Sequence, residues 1–104
     1  MDAGAQVLDA LGNSTRREIV AILATGPRAV GEIARRLPVS RPAVSKHLRI
    51  LEDAGVVAHV AAGRRNLFRL ERKGFDELRT WIDAFWPEAL QGFADLAERT
   101  WSAR

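Results

Sequence analysis

Apolar residues along the chain recur at steps of three and four, the period at which side chains share one face of an α-helix. Val7, Leu8 and Leu11 mark a short helix over residues 5–11, stopped by Gly12. Thr15 and Glu18 have the spacing of a capping box, and Ile19, Ile22 and Leu23 follow, which predicts a second helix ending at Gly26 and Pro27. A third helix is predicted over residues 31–36, with Ile33, Ala34 and Leu37 apolar, until Pro38 prevents its continuation. Ser40 is a favourable N-cap and Pro42 lies in the first turn, where its missing N–H costs nothing, so a fourth helix runs from about 41 to 53 and stops at Gly55. The period then changes. Residues 56–60 and 66–70 are β-prone, and the five residues between them contain Gly63, which predicts a hairpin with Arg64 and Arg65 at its tip. From Gly74 onwards helical spacing returns, with Phe75, Leu78, Ile82, Phe85 and Ala89 on one track and Trp86, Leu90, Phe93, Ala97 and Trp101 on another. Pro87 interrupts this tract, so a kink or break is expected near Phe85 and Trp86.

The stretch from 33 to 51 carries the functional signal. Ile33, Leu37, Val39, Val44, Leu48 and Leu51 form an apolar seam between two short helices, with small Ala34 at their closest approach. This is a helix-turn-helix spacing. It leaves Pro42, Ser45, Lys46 and Arg49 on the outward face of the second helix, with no acidic group among them. Such a face suits the major groove of DNA, which the N-terminal residues of the helix enter from Ser40 onwards. Arg41, Ser45 and Lys46 are candidates for base edges; Arg49, Arg35 and Arg36 fit phosphate anchoring better. His47 lies between seam and face and reads as a packing or phosphate-bonding group, and His59 as a surface residue of the hairpin.

Charge sharpens this assignment. The net charge is only +3, but residues 28–73 hold eleven basic residues against four acidic, a local +7, while both flanks are negative. A polyanion is therefore expected at the centre of the chain. Arg64 and Arg65, with Arg69, Arg72 and Lys73 behind them, make the hairpin a wing that grips the DNA backbone or an adjacent minor groove.

Composition limits the rest. One hundred and four residues make a single domain over 1–104, with the helix-turn-helix at about 31–54, the wing at about 56–70 and further helices at about 5–11 and 74–102. The expected fold is mainly α with a small β-hairpin. With no cysteine there is no disulfide, thiolate metal site or thiol nucleophile. Ser45, Lys46 and His47 are neighbours on one helix and point apart, so no catalysis is assigned and no cofactor is expected. No apolar run approaches a membrane span and the N-terminus lacks a signal-peptide layout, so a cytoplasmic protein without a membrane partner is expected.

The terminal tract holds six of the seven aromatic residues, an apolar stripe too large for one small core to cover. Packed against a second copy, with the first helix alongside, it would form a two-fold dimer interface through Val7, Leu8, Leu11, Leu78, Ile82, Phe85, Trp86, Leu90 and Phe93. Two other readings fit part of the pattern. One is a winged helix that binds protein or RNA, for which exposed apolar groups would replace Ser45, Lys46 and Arg49. The other is a repressor released by an unidentified small organic ligand near Trp81, Trp86 and Phe93.

Assembled, these residues resemble the ArsR-type winged helix-turn-helix repressors over about residues 5–86. The resemblance rests on Ala10-Leu11-Gly12-Asn13-Ser14-Thr15-Arg16, Gly31-Glu32-Ile33-Ala34, Val44-Ser45-Lys46-His47-Leu48, Leu51 with Ala54-Gly55-Val56-Val57, and Gly63-Arg64-Arg65, in that order. It implies a homodimer that binds a palindromic operator in double-stranded DNA and represses transcription, dimerising through its first and last helices. Metal-sensing members use cysteines on the third helix or histidine and carboxylate ligands on the last. Residues 31–37 have no thiol and residues 74–104 no histidine. The chain therefore resembles the metal-free branch.

Overall fold

The computed structural model describes residues 2–102. Met1, Ala103 and Arg104, which the domain assignment of 1–104 includes, lie outside them. Among the described residues six helices and three strands follow in the order α1 (Ala3–Leu11), α2 (Ser14–Leu23), β1 (Arg28–Ala29), α3 (Val30–Ala34), α4 (Arg41–Asp53), β2 (Val57–Ala62), β3 (Arg65–Leu70), α5 (Arg72–Asp83) and α6 (Trp86–Ser102). Among the described residues no helix is long and apolar enough to cross a membrane.

Local chemistry sets the boundaries. Asn13, extended at φ −120°, caps α2 by accepting from the Arg16 N–H at 3.0 Å. The expected capping box of Thr15 and Glu18 does not form, because the helix has already begun at Ser14 and both residues lie inside its first turns. The third helix is shorter than its apolar pattern suggested. After Ala34 the chain tightens through bonds from Arg36 N to Ile33 O and Leu37 N to Ala34 O, since the residue before Pro38 is driven out of the helical region. α4 starts where its sequence places it, with Ser40 Oγ accepting from Ala43 N at 3.2 Å. It ends in a Schellman motif: Val56 N bonds Leu51 O, Gly55 N bonds Glu52 O, and Gly55 takes the left-handed φ of +79° that a side chain would disfavour.

The hairpin differs from expectation at its tip. Pairing runs on through Ala61 with Asn66 and Ala62 with Arg65, leaving a two-residue turn of Gly63 and Arg64 in place of the five-residue loop. Gly63 at φ +64°, followed by a residue at negative φ, has the sign pattern of a type II′ turn, which matches the twist of the flanking strands. β1 was not anticipated; it adds antiparallel to β3, giving the sheet order β1-β3-β2. The terminal tract breaks at Ala84 and Phe85. Pro87, in the first turn of α6, has no N–H to carry the helix across.

The core forms where the helices meet the sheet. Ile33, Val44, Leu48 and Leu51 of the predicted seam are buried, and Leu37 and Val39 pack half-buried against them. Ile19 and Leu23 close it from α2, Val57 and Phe68 from the sheet, and Val56 from the turn before β2. α1 and α5 pack on one another, with Gly4 directly against Trp81. From Ile82 to Trp101 every residue is exposed. The molecule measures 70 × 25 × 24 Å with a radius of gyration of 19.1 Å, where a compact chain of this length has about 13 Å. α6 thus projects from the body.

Candidate nucleic-acid interface

Burying Val44, Leu48 and Leu51 fixes the roll of α4, and that roll decides what faces outward. Arg41, Pro42, Ser45, Lys46 and Arg49 are all exposed, and so is the cap Ser40. This face carries no large apolar group, which removes the feature a protein-binding version would need. Arg35 and Arg36 stand exposed in the turn after α3, and Arg64 and Arg65 on the wing.

The fold brings these elements together. A cleft of about 300 Å³ is lined by Gly31 and Glu32 of α3, Arg35, Arg41 at the start of α4, and Arg64, Arg65 and Asn66 of the wing. A neighbouring hollow of about 340 Å³ lies between Ser45 and Arg49 on α4 and His59, Asn66 and Phe68 on the sheet. Among the described residues Arg35, Arg36, Arg41, Lys46, Arg49 and Arg64 make no ion pair. Their charge is free for a ligand. Arg65 differs, because its Nη1 lies 3.1 Å from Glu32 Oε1. Arg69 pairs with Glu71 at 3.5 Å and Arg72 with Asp76 at 3.3 Å, so the cations behind the tip are partly neutralised.

His47 faces inward from the group. It is half-buried, and its Nδ1 lies 3.4 Å from the Arg16 guanidinium, whose Nε donates to Ala10 O. Partial burial, and after it the positive charges of Arg16 and Lys46, hold the imidazole below its ordinary value of 6.5. The neutral ring accepts the Arg16 bond and ties α4 to α2 and the end of α1. Arg16 was overlooked by periodicity because its partners lie six and thirty-one residues away. Glu32 and Glu52 were overlooked too. Glu32 stands three residues after Ala29, whose N–H it accepts at 3.3 Å, and Glu52 Oε2 lies 2.7 Å from His59 Nδ1. His59 is exposed, its ring 5.0 Å from that of Phe68.

The residues expected at a dimer interface divide. Val7 must be corrected: it is 0% exposed in this chain's own core and has no surface left for a second chain. Leu11 and Leu78 are half-buried against that core. Leu8, Ile82, Phe85, Trp86, Leu90 and Phe93 are exposed, Phe93 by 70%. The Phe85 ring meets Trp81 edge-on at 4.7 Å. Trp81 also lines an open hollow of about 430 Å³ between α1 and α5, with Asp2, Asp76 and Glu77 at its edge. Trp86 and Phe93 take no part in it.

Comparison with known proteins places this geometry. The model of the bacterial regulatory proteins of the arsR family matches residues 13–59, from the cap of α2 into β2. The chain is 53% identical over 89 residues to the HTH-type transcriptional regulator Rv2034 of Mycobacterium tuberculosis, covering 86% of this chain and 83% of that protein. It is 43% identical over 70 residues to the HTH-type transcriptional repressor SmtB of the same species, covering 67% of this chain and 52% of that one. Among solved structures it is similar to the homodimeric winged helix-turn-helix DNA-binding domain (fragment 1–100) of Mb0332 from Mycobacterium bovis. The TM-score is 0.66 and the identity 32%, over 90% of this chain and 80% of the other.

Proposed function

The chain belongs to the ArsR family of DNA-binding transcriptional regulators, and on that premise we propose that it is a homodimeric repressor of a palindromic operator, working in the cytoplasm without a transition-metal signal. One observation carries the reading: unpaired cations from the α3 turn, the start of α4 and the wing tip converge beside an outward α4 face of Arg41, Ser45, Lys46 and Arg49. Arg41, Ser45 and Lys46 enter the major groove; Ser40 and Pro42 shape the start of α4 that delivers them, and His47 holds the helix to Arg16 of α2. Arg35, Arg36 and Arg49 hold phosphates beside it, and the wing, which carries Arg64 and Arg65, reaches the next stretch of backbone.

Dimerisation runs through the outer surfaces of α1, α5 and α6, with Leu8, Ile82, Phe85, Trp86, Leu90 and Phe93 as its apolar groups, and Leu11 and Leu78 supporting them from behind. The homodimeric relative supports the pairing of two copies. The reading without a transition-metal signal rests on the sequence, which has no cysteine and no histidine in residues 74–104.

Selecting bound fragments from random DNA tests both parts of the proposal. The expected product is a dyad-symmetric site whose halves are centred about 34 Å apart or a multiple of that. Lys46→Ala should relax one position in each half-site at a cost of about 1–3 kcal/mol. A single unpaired half-site would overturn the dimeric reading, and uniform loss across all sequences would make Lys46 a phosphate anchor.

A further inference from the structure

Within the basic segment 28–73 there are four carboxylates, Glu32, Glu52, Asp53 and Glu71. A carboxylate beside DNA repels it. Three of the four are engaged with the sheet that carries the wing: Glu32 with Arg65, Glu52 with His59, and Glu71 with Arg69. The first of these pairs joins the wing to the helix-turn-helix across 33 residues of sequence, and it does so from a fixed base. Glu32 Oε1 accepts from the Ala29 backbone N–H at 3.3 Å as well as from Arg65 Nη1 at 3.1 Å, so the carboxylate is anchored in the first turn of α3 while it holds the wing. Arg64, one residue earlier, lies in the two-residue turn with its guanidinium unpaired among the described residues.

We propose that Glu32 and Arg65 form a brace that sets the inclination of the wing relative to α4. Arg65 is then a positioning residue, and Arg64 makes the wing's phosphate contact. This rests on the DNA-binding reading above and assigns the two wing arginines different work. The pair is exposed, Arg65 by 61% and Glu32 by 32%, so it contributes little to global stability. Its effect lies in where the tip points. The hairpin is held at its base by the core residue Phe68, at whose register His59 hydrogen-bonds Glu52, and beyond it the ion pair of Arg65 with Glu32 ties the strand to α3.

The two possible roles for Arg65 predict opposite signs for Glu32→Gln. If Arg65 contacts phosphate, removing Glu32 frees it and deletes a negative charge, and affinity rises. If the pair is a brace, affinity falls. Binding of mixed-sequence duplex DNA is measured across a salt series for the parent, Glu32→Gln, Arg65→Ala, their combination and Arg64→Ala, since phosphate contacts do not depend on sequence. Glu32→Gln and Arg65→Ala are expected to lower affinity alike, by about two- to five-fold per wing, with the parent's salt slope retained. The combination is expected to be no weaker than either single change. Arg64→Ala is expected to flatten the slope by about 0.9 per wing. Unchanged or higher affinity for Glu32→Gln, or a slope flattened by Arg65→Ala, overturns the proposal. Amide hydrogen exchange of the free protein decides the brace independently of DNA. Exchange in β2 and β3 next to the turn should quicken in Glu32→Gln and slow again in the charge swap Glu32→Arg with Arg65→Glu. Equal exchange in all three rejects the brace even if DNA binds; if the parent binds no duplex, the DNA reading falls and exchange alone decides the brace.

Discussion

Replacing Gly74 by alanine tests how α5 is seated. Gly74 is the third residue of α5, and it lies against the Schellman turn that ends α4. A Cβ built there would stand 2.6 Å from Gly55 C and 2.7 Å from both Gly55 O and Val56 Cγ1, where ordinary contact begins at 3.4 Å. Two of those atoms are backbone and cannot swing aside, so α5 must retreat by about 0.8 Å, the difference between 3.4 and 2.6 Å. The same retreat stretches the bond from Gly74 N to Gly55 O, now 2.8 Å. Overpacking of this kind costs about 1–3 kcal/mol and a weakened hydrogen bond about 1, while alanine in a helix regains about 1. The net expectation is a loss of about 1–3 kcal/mol, a large part of the roughly 5–15 kcal/mol that holds a domain of this size. Urea unfolding at one fixed protein concentration measures it. Gly92→Ala is the internal control, because none of the described residues lies within 4 Å of its Cβ position on α6. There the helix-propensity gain of up to about 1 kcal/mol acts alone, and far-UV ellipticity should deepen. If Gly74→Ala proves neutral or stabilising like Gly92→Ala, the close seating of α5 on Gly55 is refuted.

Two further outcomes are expected. Leu90→Gln with Phe93→Gln changes residues 62% and 70% exposed, so the protein should stay folded but become monomeric in light scattering; operator affinity should drop on the order of 100-fold or more as the second half-site contact becomes independent. A dimer that persists would place the interface elsewhere. His47 titrates below its ordinary 6.5 in the folded chain, so between the two values the unfolded chain binds more protons and stability rises with pH. The stability advantage of the parent over His47→Gln should therefore be complete above about pH 6.5 and shrink as pH falls through the lowered value. A difference that stays flat between about pH 7.5 and 5 would contradict the inward-facing, Arg16-bonded imidazole.

What sequence revealed and what it hid follow from the range of each interaction. The seam of Ile33, Val44, Leu48 and Leu51 and the Ser40 cap were legible because both are written within a few residues, as period and as cap. Even local signals competed, however. Thr15 with Glu18 looks like a start, but Asn13 is an equally good cap two residues earlier and takes the Arg16 N–H first. Alanines at 61 and 62 carry weak strand preference, so pairing appeared to stop before them, whereas Gly63 allows a turn tight enough for pairing to continue. Periodicity marks Val7 as apolar without saying which chain buries it. The ties of Glu32 to Arg65 and Arg16 to His47 join residues more than thirty apart, and no local pattern encodes them.

The exposure of α6 bears on why the body alone is incomplete. A 17-residue helix extends about 25 Å and is little longer than the roughly 12–15 residues below which an isolated helix is marginal in water even with a favourable sequence. Its internal aids are small. Gln91 reaches Asp95 at 2.9 Å, and Glu88 and Arg99 complement the helix dipole at its two ends, each worth a few tenths of a kcal/mol. Gly92 in its interior costs about as much as two of them return. Trp86, Leu90, Phe93 and Ala97 meanwhile form an apolar stripe that the body of this chain does not cover. Packing against another surface would supply what propensity lacks, and a second copy, as proposed above, would supply it symmetrically, presenting the same stripe in return. The same contact would hold two α4 faces at a fixed separation, so the helix that most needs a partner to persist is also the one that would turn a weak half-site reader into a palindrome-specific one.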